Sequence, residues 1–294
     1  MPDKTEFFSQ GARLRAEVWR PARSPAPAVI VTGSWTTVKE QMPAKYAPLL
    51  ADAGFVAMTF DFGGFGESEG GPREVESPRR KSEDIRNAVT FLRTMPGVDA
   101  ERIGAVSICA SSGYVASAML DEPQRRSVAM VAPWLHNAEI VQTMYGGEDA
   151  VKQRISEALA ARATYAKSGV VEYVTAASNS DSSAAMFLPG DALDYYLNPR
   201  RGAIPEWVGR FGLMAWKELL EFDPIALAPH IAAPIRIITS EQSATPGGAR
   251  QFEAGLRGRH DSVWIEGTQF DFYDNPKTVT SAAQSAIEHL QSTL

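Results

Sequence analysis

The chain has 294 residues and a net charge of −6, with 44% hydrophobic and 22% charged residues. These values are typical of a folded protein and exclude the disordered and fibrous classes. We expect one main core with an insertion, because α/β folds often reach this length as one unit. Lys and Arg cluster only at residues 78–81, which argues against a nucleic-acid partner and favours a small-molecule substrate.

The sequence also predicts a compartment. The first residues lack a basic segment followed by an apolar run, and no stretch reaches the roughly 18 apolar residues of a membrane span. The single cysteine, Cys109, cannot form an internal disulfide, which fits a reducing compartment. We therefore expect a cytoplasmic protein with no membrane partner. The oligomeric state stays open, with a homodimer as one option.

Predicted strands and helices alternate in the first third of the chain. Short continuous apolar runs that end at glycine or a loop are typical of strands buried on both faces of a parallel sheet. Apolar residues at helical spacing lie between them, which is the order of βαβ units. The predicted elements are a hairpin at 6–19, a strand at 28–32, a helix at 42–53, a strand at 55–60 and a helix at 82–95.

The rest of the chain continues this order around one long interruption. Residues 137–233 are too many for a loop in a compact domain, and their short apolar segments are broken by Gly, Pro and Asn-Pro. We predict that they form an inserted helical cap, or lid, over a core domain made of residues 1–136 and 234–294. The remaining predicted elements are strands at 102–108, 128–132, 234–240 and 262–267, with helices at 114–120 and 278–290.

Residues 102–112 read Arg-Ile-Gly-Ala-Val-Ser-Ile-Cys-Ala-Ser-Ser. This segment resembles the nucleophile turn of the dienelactone-hydrolase-like branch of the α/β-hydrolases, Arg-Ile-Gly-x-x-Gly-x-Cys-x-Gly-Gly. The loop at 61–68 also resembles the Asp-x-Arg-Gly-x-Gly-x-Ser turn of these proteins. The resemblance covers the chain outside 137–233. It implies an α/β-hydrolase fold: a mostly parallel central sheet with helices on both faces, here with an inserted cap.

Cys109 is the candidate nucleophile. In this fold the nucleophile lies on a sharp, strained strand-to-helix turn, so the residues two before and two after it must be small. Ser107 and Ser111 meet that requirement. We expect the N-terminus of the following helix to favour the thiolate. A cysteine packed as a small hydrophobe is the alternative, and Ser107 is a rival nucleophile whose hydroxyl lies within the strand.

The resemblance also implies an oxyanion hole. One donor is the backbone N–H after the nucleophile, here Ala110, and the other comes from the loop after an earlier strand. That loop begins at Gly33. We therefore expect the second N–H from Trp35 or Ser34.

The two remaining members of a catalytic triad differ from the family pattern. The acid loop of relatives, Gly-x-x-Asp-x-x-x-Pro, aligns with residues 240–246 and puts Gln242 at the acid position, with Glu241 beside it. The histidine loop aligns with residues 267–274 and puts Gln269 at the base position. Glutamine takes no proton at neutral pH, so the activation of water is in question.

Among the four histidines only His136 follows a predicted strand, and ligands of open α/β sheets bind at the carboxyl ends of strands. His136 is therefore the candidate replacement base, oriented by Glu139 or Glu241. A histidine that caps the first helix of the lid is the alternative.

These residues lead to three hypotheses. The first is a hydrolase of an ester, lactone or thioester of a small apolar or aromatic substrate, acting through Cys109 with a non-standard triad. The second is a non-hydrolytic lyase, isomerase, cyclase or acyl transferase, and the third is a non-catalytic ligand-binding protein. No metal and no organic cofactor is implied. The candidate substrate-binding residues are Gln242, Ser111, Tyr195 and Trp207.

Overall fold

The computed structural model describes residues 1–120 and 126–294. In this part of the chain, no helix has both the length and the apolar character needed to cross a membrane. The strands are β1 (Asp3–Ser9), β2 (Ala12–Trp19), β3 (Ala26–Thr32), β4 (Val56–Phe60), β5 (Val98–Ile108), β6 (Val128–Val131), β7 (Tyr173–Thr175), β8 (Ala177–Ser178), β9 (Met186–Phe187), β10 (Arg210–Gly212), β11 (Ile235–Thr239) and β12 (His260–Trp264). The helices are α1 (Pro43–Asp52), α2 (Pro78–Thr94), α3 (Ser111–Met119), α4 (Ala138–Tyr145), α5 (Glu148–Ser168), α6 (Asp194–Leu197), α7 (Trp216–Glu221), α8 (Pro246–Gly255), α9 (Asp271–Asp274) and α10 (Pro276–Thr293), with two 3-10 helices at Leu213–Ala215 and Ile225–His230.

The main sheet has eight strands in the order β1-β2-β4-β3-β5-β6-β11-β12. The six strands from β4 to β12 in this order pair in parallel, and the β1–β2 hairpin joins them antiparallel at one edge. Around the sheet, α1 packs against α10 and α2 packs against α3. The predicted α/β-hydrolase fold with a mostly parallel sheet is confirmed. β4 and β6 are buried along their whole length, which explains why all their residues except Thr59 are apolar.

One helix begins earlier than predicted. The apolar spacing indicated a start at residue 82, whereas α2 begins at Pro78 and the hydroxyl of Ser77 accepts the Arg80 N–H at 3.2 Å. Proline is favoured in the first turn because its missing N–H needs no partner there. The first turn carries basic residues, so the hydrophobic spacing alone placed the start one turn too late.

The sequence predicts an entirely helical segment at residues 137–233, between β6 and β11, but the structure differs. Besides helices these residues contain two small sheets, one of β10 with β7 and one of β8 with β9. The strands are only two or three residues long, too short to give an alternating pattern in the sequence. The division into a core domain and a cap stays a prediction.

A buried lysine holds the loop after β4. Lys39 Nζ lies 2.9 Å from Asp61 Oδ2 and 2.7 Å from Glu67 Oε2. Asp61 also accepts the backbone N–H groups of Lys39 and Glu67. Gly66 has φ 49°, and a Cβ atom there would lie 2.3 Å from Asp61 Oδ2. The glycine is required because the loop backbone closes against this carboxylate.

Candidate active site

Cys109 lies between β5 and α3 with φ 61°. A non-glycine residue rarely adopts this left-handed conformation, which persists only where the surroundings hold it. Its N–H donates to the Val131 carbonyl at 3.0 Å, and its carbonyl accepts the Trp134 N–H at 3.0 Å. The structure thus has the strained strand-to-helix turn predicted from the sequence, with the sulfur at its tip.

Hydroxyl groups and one backbone N–H surround the sulfur. Ser34 Oγ donates to Cys109 Sγ at 3.3 Å, and the Tyr273 hydroxyl and the Ala110 N–H are near enough to the sulfur to act against the rise of its pKa as donors. Cys109 is 2% exposed. Burial raises the pKa of the Cys109 thiol despite these donors. The expected thiolate is therefore wrong for the resting protein, because desolvation outweighs the hydrogen bonds and the helix terminus.

The sulfur opens into a cavity of about 580 Å³ at the carboxyl ends of the strands. This volume suits a small-molecule ligand, and the lining is mainly apolar. One wall consists of residues that follow the strands: Ser34, Trp35, Cys109, Trp134, Gln242 and Gln269. The other wall comes from the segment 137–233 and includes Met144, Tyr145, Met186, Phe187, Leu188 and Tyr196.

Gln269, which the sequence predicts at the base position, makes three hydrogen bonds within the site. Its Oε1 accepts the Ala244 N–H at 2.9 Å, and its Nε2 donates to the Ala132 carbonyl at 2.9 Å and to the Tyr273 hydroxyl at 3.1 Å. Because the Tyr273 oxygen accepts from Gln269, its hydrogen can point to the Cys109 sulfur. Gln269 therefore orients a phenol toward the nucleophile position, and it supplies no base.

The two candidates at the acid loop separate. Gln242 lines the cavity and its backbone pairs with Thr268 in a parallel bridge, which places it beside Gln269. Glu241 is exposed, forms an ion pair with Arg250 and does not line the cavity. The structure does not bring Glu241 to the sulfur.

His136 does not line the cavity of Cys109 either. It is 3% exposed, and its Nε2 lies 3.2 Å from the Leu219 carbonyl, to which it donates. The ring faces a separate chamber of about 10 Å³ that Ala110 and Trp35 also line. Burial lowers the pKa of His136. The ring is oriented by a backbone carbonyl, whereas we expected Glu139 or Glu241, and the placement does not support a role as base.

The other predicted binding residues lie behind the cavity wall. Ser111 Oγ accepts from Thr32 Oγ1 at 2.9 Å and from the Ile108 N–H at 3.2 Å. The Trp207 indole donates to the Thr36 carbonyl at 2.9 Å. Tyr195 packs against Tyr273, with ring centroids 5.0 Å apart. None of Ser111, Trp207 and Tyr195 lines the described cavity.

Two site residues were missed from the sequence, Tyr196 and Tyr273. Tyr273 is four residues after Gln269, so a helical turn brings it to the same face, and that spacing was an available signal. Tyr196 is adjacent to Tyr195, and only the tertiary structure shows which of the two faces the cavity.

A buried ion pair supports the loop after β3. Lys81 Nζ lies 2.7 Å from Glu76 Oε1, and both side chains are almost fully buried. The Glu76 carboxylate also accepts the Tyr114 hydroxyl at 2.7 Å and the Thr36 N–H at 2.9 Å. Thr36 has φ 61° and follows Ser34 and Trp35 in the loop. The ion pair thus anchors the backbone that carries the Ser34 hydroxyl to the sulfur.

Glu74, two residues before Glu76, has only a long ion pair with Arg73 among the described residues. It is 2% exposed, its Oε1 has no hydrogen-bond partner among the described residues, and the Arg73 guanidinium is 3.9 Å away. Burial raises the pKa of Glu74 to about 7. The folded state therefore favours the protonated carboxyl.

We expect Glu74→Gln to stabilise the protein at pH 8 by about 2–3 kcal/mol. The pKa of Glu74 is about 4.3 in the unfolded chain and about 7 in the folded protein, so between these pH values the folded state binds more protons. The stability of the wild type therefore falls as the pH rises from about 4.3 to about 7. Urea unfolding at pH 5 and pH 8 measures the free energy of unfolding of Glu74→Gln and of the wild type. The substitution Glu157→Gln, at an exposed position, is the control. If the free energies of unfolding of Glu74→Gln and the wild type differ by the same amount at both pH values, the prediction is contradicted.

Comparison with known protein families adds one match. The family model described as X-Pro dipeptidyl-peptidase (S15 family) matches residues 10–173. The matched range runs from the β1–β2 hairpin through the turn at Cys109 and into β7.

Three relatives cover different shares of the chain. The uncharacterized protein YcjY of Escherichia coli is 28% identical over 91% of this chain and 89% of its own length. The polyketide transferase claH of Penicillium crustosum is 26% identical over 76% of this chain and 74% of its own. The thiohydrolase aneE of Aspergillus aculeatus is 32% identical over 44% of this chain and 41% of its own.

A solved structure shares the whole fold. The α/β hydrolase GrgF from Penicillium sp. sh18 superposes with a TM-score of 0.83 at 18% identity, covering 100% of this chain and 99% of that one. At this identity the likeness supports the fold alone.

Proposed function

Because this chain belongs to the X-Pro dipeptidyl-peptidase (S15) family, we propose that it is a hydrolase-fold enzyme that takes an acyl group from a thioester onto Cys109. One observation carries the proposal: a sulfur on a strained turn opens into an apolar cavity, surrounded by donors and without an imidazole. The predicted dienelactone-hydrolase-like cysteine nucleophile is part of this proposal. The apolar lining suits an apolar or aromatic acyl group.

We prefer a thioester as substrate because the Cys109 thiol must lose its proton when it attacks, and a thiolate leaving group can accept that proton. Burial raises the pKa of Cys109, so the thiol form predominates at neutral pH. When the bond from Sγ to the carbonyl carbon forms and the carbon–sulfur bond of the thioester breaks, the leaving thiolate can take up the proton that Sγ loses. The leaving thiolate forms in the same cavity, where burial favours its protonated form as well, so this exchange needs no strong base.

Amides and ordinary esters place a greater demand on the site. An amine or an alkoxide leaves only when an acid protonates it, the task of histidine in the usual triad. No histidine lines the cavity within the described residues, and the sequence alignment predicts Gln269 at that position. The Asp271 carboxylate lines the cavity but accepts the Thr268 N–H at 2.7 Å and its hydroxyl at 2.8 Å. Peptidase activity is therefore disfavoured despite the family's name.

The names of the relatives support the same chemistry. One relative is a thiohydrolase and another a polyketide transferase, names that fit the removal or transfer of an acyl group. A second candidate function is therefore acyl transfer from Cys109 to a thiol or alcohol acceptor. The position of Gln269 favours it, because a glutamine does not activate water and the acyl-enzyme should persist until an acceptor arrives.

The experiment is intact mass measurement after mixing the protein with the N-acetylcysteamine thioester of 3-phenylpropionic acid. We expect the mass to rise by one acyl group, located on Cys109 by peptide mapping and removed by hydroxylamine. The methyl ester and the amide of the same acid should label far more slowly.

Two variants decide the assignment. Cys109→Ala should show no adduct, whereas Ser107→Ala, which removes the rival hydroxyl, should still be acylated. Thioester turnover that persists in folded Cys109→Ala would overturn the covalent role and favour a non-covalent catalyst. Binding without turnover or adduct in the wild type would favour a ligand receptor.

A further inference from the structure

The hydroxyl of Tyr196 is buried without a hydrogen-bond partner among the described residues. Tyr196 lies on α6, is 2% exposed and lines the same cavity as Cys109. A buried hydroxyl without a partner destabilises the folded state, because it has lost its hydrogen bonds to water. Such a group is retained at a functional site when a ligand supplies the missing partner.

None of the groups around the Tyr196 hydroxyl accepts its hydrogen in the described structure. The Ser34 and Tyr273 hydroxyls are near enough to shift the pKa of Tyr196 as hydrogen-bonding groups, and the Cys109 sulfur shifts it through its charge, but none of them has hydrogen-bond geometry to the Tyr196 hydroxyl in the described structure. Ser34 donates its own hydrogen to Cys109 Sγ. The Tyr273 oxygen already accepts from Gln269. A ligand atom placed beside the sulfur would therefore find Tyr196 as an uncommitted donor.

We propose that the Tyr196 hydroxyl donates a hydrogen bond to the carbonyl oxygen of the thioester as this oxygen becomes negatively charged. The inference rests on the proposed function and deepens it by naming a catalytic donor. As Sγ bonds to the carbonyl carbon, the π electron pair moves onto the oxygen, which accepts from Tyr196 and from the Ala110 N–H. The pair returns when the leaving thiolate departs with the proton that Sγ has lost.

The ring of Tyr196 is held in place before substrate arrives. It packs against Tyr195, Trp207 and Phe270, with ring centroids 5.0, 5.3 and 5.8 Å apart. Donors that need no reorganisation during the reaction stabilise a developing charge most strongly. Tyr196 belongs to the segment 137–233, so the oxyanion hole would be completed by this segment and not by the strand ends alone.

The first test is Tyr196→Phe, which removes only the oxygen. We expect kcat for the phenylpropionyl thioester to fall by about 10²-fold with KM nearly unchanged, because the lost bond acts mainly on the transition state. The control is Tyr173→Phe in the same segment, whose hydroxyl donates to the Arg73 carbonyl away from the cavity. It should keep the wild-type kcat. Circular dichroism verifies the fold of both variants.

A second test uses 3-phenylpropanal as a probe. Its carbonyl carbon bonds to Sγ and its oxygen takes the thiol proton, so the hemithioacetal places a hydroxyl where the oxyanion forms. We expect Tyr196→Phe to weaken inhibition by the aldehyde about tenfold and to leave inhibition by 3-phenylpropanol unchanged. The alcohol lacks the carbonyl and reports on the cavity alone.

The outcomes separate the two proposals. If Cys109→Ala binds the aldehyde as tightly as the wild type, the covalent function fails. If Cys109→Ala loses its affinity for the aldehyde while Tyr196→Phe keeps the wild-type aldehyde affinity and kcat, the covalent role of Cys109 stands. The role of Tyr196 is then overturned. Equal losses for the aldehyde and the alcohol in Tyr196→Phe also overturn it, because they indicate altered cavity shape.

Discussion

Replacing Gln269 by histidine together with Gln242 by aspartate is expected to speed hydrolysis of the acyl-Cys109 enzyme by about 10²–10⁴-fold. The sequence alignment predicts the two glutamines at the positions of the usual base and acid, and the bridge between Gln242 and Thr268 brings their two loops together. An imidazole at 269, oriented by a carboxylate at 242, can take a proton from water as it attacks the acyl group.

The measurement is the rate at which the mass of the acyl adduct disappears in buffer without an acceptor. Each single variant is the control, and both should deacylate more slowly than the double variant, because the base and its orienting acid act together. Loss of the Gln269 bonds to Ala244 and Ala132 should lower the free energy of unfolding by about 1–3 kcal/mol. An unchanged deacylation rate in the folded double variant would show that a missing base does not limit hydrolysis.

Lys81→Met should reduce the free energy of unfolding by about 3–5 kcal/mol. The substitution leaves the Glu76 carboxylate buried with only the neutral donors Tyr114 and Thr36. It also removes the contacts of Lys81 Nζ with the rings of Phe62 and Phe65, 4.6 and 4.2 Å from their centroids.

Urea unfolding at neutral pH measures this loss, and the double variant with Glu76→Gln is its control. The amide oxygen of glutamine still accepts hydrogen bonds without a buried charge, so the double variant should be more stable than Lys81→Met alone. Exposed Lys152→Met, whose partner Glu148 is also exposed, should change stability little. Strictly additive losses from Lys81→Met and Glu76→Gln would mean that the two side chains are not coupled.

The strands of the parallel core could be predicted from the sequence, because a strand buried on both faces is a short run of consecutive apolar residues. β6 is apolar at every position and β4 at every position except Thr59, so no knowledge of their neighbours was needed to predict them. The turn at Cys109 was equally local, because small residues on both sides are needed for its backbone conformation. The start of α2 was less accurate, since three of the four residues in its first turn are basic and hide the buried face from the hydrophobic spacing.

The sequence by itself thus determined the sheet and the turn with Cys109 at its tip, and it predicts that Gln269 replaces the usual base. Only the tertiary structure decided what surrounds the sulfur. His136 follows a strand as expected, yet its ring turns to the Leu219 carbonyl, a contact between residues 83 positions apart. Ser34, Tyr196 and Tyr273 meet near Cys109 from distant parts of the chain. Spacing along the chain fixes a residue's place on its own element, whereas the packing of elements decides which side chains face one cavity.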